Sequence, residues 1–157
     1  KDSLILMLEL YKNITLPTLK QFADNGIISS QKEFAVVKEA VEKLDIRTAG
    51  LKQITKYLSG GNQQKVAISK WLQTEPKVLI MDEPTQGIDV KAKVEIYSIV
   101  RKLAEAGVCI IFISSEVAEV VNISDRILIL SGGRISAQFS QGVSQEEVMR
   151  TILEESS

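Results

Sequence analysis

The chain has 157 residues, 45% of them hydrophobic, enough for one buried core, so one domain or part of one is expected. Its net charge of −1 offers no cationic excess to displace counterions from a phosphate backbone, which argues against nucleic acid as a partner. Histidine is absent, so histidine metal ligands and histidine bases are excluded, and any chemistry falls to carboxylates, hydroxyls and amides.

Leu4 to Leu8 is an apolar run whose periodicity does not separate a strand from the start of a helix, and Pro17 breaks the pattern after it. Ser30-Gln31-Lys32-Glu33 reads as a capping box. Phe34, Val37, Ala40, Val41 and Leu44 follow at helical spacing, which predicts a helix from about residue 31 to 44. Lys32, Glu33, Lys38, Glu39, Glu42 and Lys43 fill its other face and read as solvated surface. Residues 45 to 57 read as a loop with Gly50 at its turn.

Leu58-Ser59-Gly60-Gly61-Asn62-Gln63-Gln64-Lys65 then leads into a helix with Val66, Ile68, Trp71 and Leu72 on its apolar face and Ser59 as its cap. The two glycines leave backbone N–H groups uncovered at the positive end of the helix dipole, an arrangement suited to an anion. Val78 to Met81 reads as a short strand buried on both faces, delivering Asp82 and Glu83 at its carboxyl end. There one carboxylate can hold a hydrated metal and the other can orient a water. Pro84 stops the ladder and Gly87 frees the turn.

A second helix follows Asp89, with Val94, Ile96, Tyr97, Val100 and Leu103 apolar and Gly107 at its C′ position. A strand over Val108 to Ile113 contains the one cysteine, Cys109, which reads as a small buried hydrophobe in a reducing compartment. Its six residues are the longest apolar run, too short to span a bilayer, and no basic leader precedes an apolar stretch of adequate length. Ser114-Ser115-Glu116 starts a short helix to about Asn122. Arg126 to Leu130 is a strand that Gly132-Gly133 turns into a hairpin with Ile135 to Phe139. A last capping box, Ser144-Gln145-Glu146-Glu147, opens a helix through Val148, Met149, Ile152 and Leu153. The chain thus divides into a predominantly helical part, residues 1–75, and an α/β part, residues 76–157, whose alternation implies a parallel sheet with right-handed crossovers.

The order of these segments resembles the ATP-binding cassette (ABC) ATPases. Leu58 to Gln63 matches the family signature, Val78 to Glu83 the Walker B strand, and Gly87-Ile88-Asp89 the D-loop. The resemblance implies an α/β fold of P-loop NTPase type, present as a cassette fragment with a helical signature subdomain. A phosphate loop needs Gly-Lys, and none of the nine glycines is followed by lysine, so the Walker A portion is expected to lie outside the chain. The run from the signature through Asp-Glu-Pro-Thr and Gly-Ile-Asp-Val is similar to the ATPases of ribose, galactose, xylose and arabinose importers, in which two cassettes are fused. That likeness covers residues 58 to 139 well and the first 50 loosely. Most cassettes carry Ser-His after the strand equivalent to Val108–Ile113. Ser114-Ser115 stands here, as in the second, C-terminal cassette of the sugar importers, and serine lacks the histidine's charge-assisted contact.

The resemblance implies ATP and Mg²⁺ as cofactors. It assigns Asp82 to the metal through water, Glu83 to the attacking water and Ser115 to the γ-phosphate. Ser59, Gly60, Gly61 and Gln63 would meet ATP held by an opposing cassette, with Asp89 communicating between sites. It further implies a second ABC cassette and a transmembrane permease as partners, a periplasmic or extracellular sugar-binding protein indirectly, and a peripheral place on the cytoplasmic face of the membrane. The isolated chain is expected to be inactive in hydrolysis. One alternative is a non-hydrolysing interaction module that completes a partner's ATP site. Another, a cassette of DNA-repair type, needs long coiled coils, and residues 1 to 57 show no sustained heptads.

Overall fold

The computed structural model describes residues 3–155, which divide into two compact units. The first comprises the chain up to Leu79 together with Thr85–Cys109, and the second Ile80–Pro84 with the chain from Ile110 onward.

In the first unit Leu4 to Leu8 is neither strand nor helix but a series of turns. The cause is Asn13, fully buried, whose Oδ1 accepts the Ile5 N–H at 2.9 Å and whose Nδ2 donates to the Ile5 carbonyl at 3.0 Å and to Thr55 Oγ1 at 2.9 Å. Asn13 thus satisfies both backbone groups of Ile5, while the Leu6 and Leu8 carbonyls accept the N–H groups of Lys56 and Thr55 at 2.9 and 3.0 Å. Helix α1 (Leu10–Thr15) gives way to a 3-10 segment, Leu16–Phe22, with Pro17 in its first turn. Two-residue strands β1 (Ala23–Asp24) and β2 (Ile27–Ile28) then pair around Asn25-Gly26, both with positive φ, as a type I′ hairpin turn requires.

Helix α2 (Ser30–Lys43) lies where the periodicity places it, but its cap is Ser29, whose Oγ accepts the Lys32 N–H at 3.5 Å. The shift by one residue takes Glu33 out of the capping box. Instead of solvated surface it is buried, its Oε1 accepting the Thr15 hydroxyl at 2.6 Å. Lys32, Lys38, Glu39, Glu42 and Lys43 are exposed as expected.

Helix α3 (Gly60–Leu72) is covered on most sides: Lys65, Val66, Ala67, Ile68, Ser69 and Lys70 are all buried, while Trp71, expected on the apolar face, is 45% exposed. Lys70 tolerates burial because its ammonium donates to the Ser3 carbonyl at 2.6 Å and lies over the Trp71 ring, and desolvation pushes its pKa down. Leu10, Ile14, Val37, Val66 and Ile96 form the fully buried centre of this unit.

Strand β3 (Val78–Asp82), helix α4 (Val90–Glu105) and strand β4 (Cys109–Ile113) make a βαβ segment. The Cys109 N–H donates to the Lys77 carbonyl and, at the other end, the Glu83 N–H donates to the Ile113 carbonyl, each at 2.9 Å, so β3 and β4 run parallel. The strand is not buried on both faces. Leu79 and Met81 are covered, whereas Val78 and Ile80 are 52% and 64% exposed, and Cys109, expected inside, is exposed too. A pleated strand sends alternate side chains to opposite faces, and among the described residues only one face is covered. Asp89 Oδ1 caps α4 by accepting the Ala92 N–H at 2.9 Å, and Gly107, with φ of +90°, closes it as expected.

The second unit contains α5 (Val117–Ile123), β5 (Arg126–Ser131), β6 (Arg134–Ser140) and α6 (Gln145–Glu155). Gly132 and Gly133, both with positive φ, fold β5 back onto β6 as an antiparallel pair separate from β3 and β4. The parallel arrangement expected from Lys77 onward is therefore confined to β3 and β4. Ser144 Oγ accepts the Glu147 N–H at 3.1 Å, and α6 buries Val148 against Ile127 and Ile129, with Val120 and Phe139 packed around them. Among the described residues no helix is long and apolar enough to cross a membrane.

Candidate functional site

The residues singled out above fall into two groups, one in each unit. In the first unit Ser59 occupies the N-cap position of α3 but does not cap it in the expected way, since its hydroxyl accepts no first-turn N–H. Asn62 Nδ2 donates to Ser59 Oγ at 2.9 Å instead, while Asn62 Oδ1 accepts the backbone N–H of Arg47 at 2.8 Å. Among the described residues Ser59 therefore leaves the N–H groups at the start of α3 uncapped, in the orientation that favours an anion.

The glycines have a packing reason as well. A Cβ on Gly61 would come within 2.6 Å of Ala92 Cβ on α4, and one on Gly60 within 3.2 Å of Ile88 Cγ2 and 3.6 Å of the Gly87 carbonyl. Only backbone without side chains brings the start of α3 this close to the segment Gly87 to Ala92. Signature and D-loop residues are thereby brought together: Arg47, Ser59, Gly61, Asn62, Asp89, Lys91, Ala92 and Glu95 line one shallow cleft. Gln63 is turned away from it. Its Nε2 lies within 3.1–3.3 Å of the carbonyls of Thr55, Lys56 and Leu58, holding the approach to the signature in place.

Beneath this cleft is an ion-pair network that no sequence spacing announces. Lys65, buried, donates to the Asp45 carbonyl and pairs with Glu95 Oε2, both at 2.8 Å. Glu95 Oε1 in turn meets Arg47 Nη2 at 3.3 Å. The Lys65 hydrogen bond, with the nearby positive charges of Lys65, Arg47 and Lys91, outweighs desolvation and holds the Glu95 carboxyl below its ordinary range. A depressed carboxylate pKa stabilises the fold above the unfolded value, and that contribution is lost as the pH falls through the folded one. Chemical denaturation at about pH 6 and about pH 3 should therefore show a smaller loss of stability on acidification for Glu95→Gln than for the unaltered chain. An equal loss in both would remove Glu95 from the acid response.

In the second unit Asp82, exposed, ends β3, and Glu83 follows with φ of +46°, a left-handed conformation uncommon for a residue with a side chain. Two bonds hold it there: its N–H donates to the Ile113 carbonyl, and its Oε1 accepts the Ser115 N–H at 2.7 Å. Glu83 and Ser115, far apart in sequence, are thus joined at the ends of two parallel strands. Ser114 hydroxyl donates to buried Glu119 at 2.9 Å and accepts the Glu116 N–H at 3.0 Å, fixing the turn that presents Ser115. Among the described residues no cluster of three or more acidic or cysteine side chains could enclose a metal ion.

A family model described as ABC transporter matches residues 3–86. The xylose import ATP-binding protein XylG of Thermoanaerobacter pseudethanolicus is 44% identical over 147 residues, 93% of this chain and 29% of that protein. The ribose import ATP-binding protein RbsA of Geobacillus kaustophilus is 46% identical over 151 residues, 96% of this chain and 31% of that protein. The chain therefore spans about three-tenths of the length of such relatives. Among solved structures, a dimeric post-hydrolysis state of the ATP-binding cassette MJ0796 bound to ADP and Pi superimposes with a TM-score of 0.72 at 25% identity, over 87% of this chain and 58% of that one. The fold is that of an ABC cassette.

Proposed function

The chain belongs to the ABC transporter family, and from that membership we propose that it is part of an ATP-binding subunit energising monosaccharide import as one of a pair of cassettes. The names of the similar xylose and ribose import proteins support the sugar class. The observation that carries the reading is the start of α3, where Ser59 makes no cap bond to the first turn and lines one cleft with Gly61 and Asp89. A terminal phosphate presented by a second cassette fits that end of the helix by charge and by hydrogen-bond polarity.

The other group fits the chemistry of the chain's own cassette. Bound Mg²⁺·ATP supplies the phosphoanhydride and the metal charge that neutralises its transfer. Asp82, a single exposed carboxylate, suits a cation reached through water and shared with phosphate oxygens. Glu83 is suited to orient an attacking water, and Ser115, joined to it through its backbone N–H, carries a hydroxyl able to donate to the same phosphate. Asp89 caps α4 beside the signature, so displacement of the signature reaches α4 directly. In this scheme ATP holds two cassettes together and hydrolysis lets them part, and a permease bound in the membrane converts the cycle into alternating access. The subunit is accordingly peripheral to the membrane on its cytoplasmic face, with the permease as direct partner and a sugar-binding protein as indirect one.

The test is association of this chain with a complete cassette carrying its own phosphate loop, followed by sedimentation with and without Mg²⁺·ATP. Association that needs ATP and disappears with Ser59→Arg is the expected result. A folded chain that fails to associate, or associates equally without nucleotide, would overturn the assignment.

A further inference from the structure

We infer that Asn62 is a positioning residue which sets the hydroxyl of Ser59 as a hydrogen-bond donor; the inference rests on the reading of Ser59 as a phosphate contact. The direction follows from the partners. The backbone N–H of Arg47 can only donate, and it meets Asn62 Oδ1 at 2.8 Å. That contact fixes the orientation of the amide, because a reversed amide would set two donors against each other. Asn62 Nδ2, which can only donate, therefore faces Ser59 Oγ at 2.9 Å. Ser59 oxygen is the acceptor, so its proton is left for an outside acceptor. A serine that capped α3 would likewise accept on its oxygen, but from a first-turn N–H; here the Asn62 amide is the donor, so the first-turn N–H groups and the Ser59 proton can serve the same outside acceptor.

The start of the relay is held on both sides. Arg47 is tied through its guanidinium to Glu95, which pairs with buried Lys65, and Gln63 fastens the segment Thr55 to Leu58 that leads to Ser59. Asn62 is thus placed by the fold rather than by Ser59, and the order is Arg47 N–H to Asn62 amide to Ser59 hydroxyl to ligand. A phosphoryl oxygen, which only accepts, is the matching chemistry at the end of such a chain; a cation or an N–H donor is not.

A double-mutant cycle on the ATP-dependent association tests this, using a slowly hydrolysed ATP analogue, Mg²⁺ and a complete cassette. Ser59→Ala and Asn62→Ala are each expected to weaken association by about tenfold or more, the scale of one hydrogen bond to a charged group. The double variant should be no weaker than Ser59→Ala alone, because Asn62 acts only through Ser59. Asn62→Asp, isosteric and still able to accept from Arg47, keeps the local geometry where alanine disturbs the fold. It should weaken association at least as much, since a carboxylate takes up the Ser59 proton. Additive losses, or an Asn62→Ala variant that associates like the unaltered chain while Ser59→Ala does not, would overturn the inference and leave the functional reading standing. Failure of the unaltered chain to associate with ATP would overturn both.

Discussion

Glu83→Gln, placed in a full-length importer carrying this segment, is expected to lower hydrolysis at this cassette's own site by about a hundredfold or more, the scale of a lost general base. Glutamine is isosteric and retains an oxygen that can accept the Ser115 N–H, so the left-handed turn at Glu83 and the link between β3 and β4 should survive. What it loses is the basic carboxylate. ATP-driven pairing of cassettes should persist, because the start of α3 is untouched by the change. Single-turnover hydrolysis in the full-length protein separates the two effects, and turnover at the native rate would show that Glu83 does not act on the water.

Gly61→Ala is expected to cost up to about 2 kcal/mol of stability. Adding a methyl group 2.6 Å from Ala92 Cβ forces α3 and α4 apart, since neither atom belongs to a side chain that can swing away. Overpacking of this kind costs about 1–3 kcal/mol, and the better helix propensity of alanine over glycine returns about 1 kcal/mol of it. Gly60→Ala should cost less, because its new methyl meets the Ile88 Cγ2 methyl at 3.2 Å, which asks for a shift of only a few tenths of an ångström. Urea unfolding of the two variants side by side provides the comparison. Gly61→Ala should also weaken ATP-dependent association, since the shift displaces Asp89 and the cap of α4. Equal stability of the two variants would contradict the close approach of α3 to α4.

The elements legible from the chain alone are those with local causes. Helices α2, α4 and α6 follow from apolar spacing, and the β5–β6 turn from Gly132-Gly133. Signature, acidic strand end and D-loop were readable because each is a short run whose chemistry depends on its own residues. Features set by distant partners were not. Glu33 sits on a helix face otherwise filled with exposed charge, and its burial depends on Thr15, beyond a 3-10 segment and a hairpin. Asn13 bonds Ile5 and, beyond α2, Thr55, so the turns at Leu4 to Leu8 carry no mark of their own. The pairing of Lys65 with Glu95 and Arg47 likewise arises only when α3 and α4 meet. Asn25-Gly26 is a strong hairpin dipeptide, but strands of two residues surround it with too little alternation to be recognised. Val78, Ile80 and Cys109 failed in the other direction, because an unbroken apolar run does not reveal which face is covered.

The central claim is that Ser59 meets the phosphates of ATP held by another cassette, and a nucleotide-gated cross-link tests it most directly. Ser59→Cys would be introduced with Cys109→Ser, since Cys109 is exposed and would compete for reagent, and paired with a complete cassette bearing one cysteine beside its phosphate loop. A disulfide that forms with Mg²⁺ and a slowly hydrolysed ATP analogue, and not with ADP, is the predicted result. A complex that assembles with the analogue yet leaves the two thiols unlinked would contradict the account.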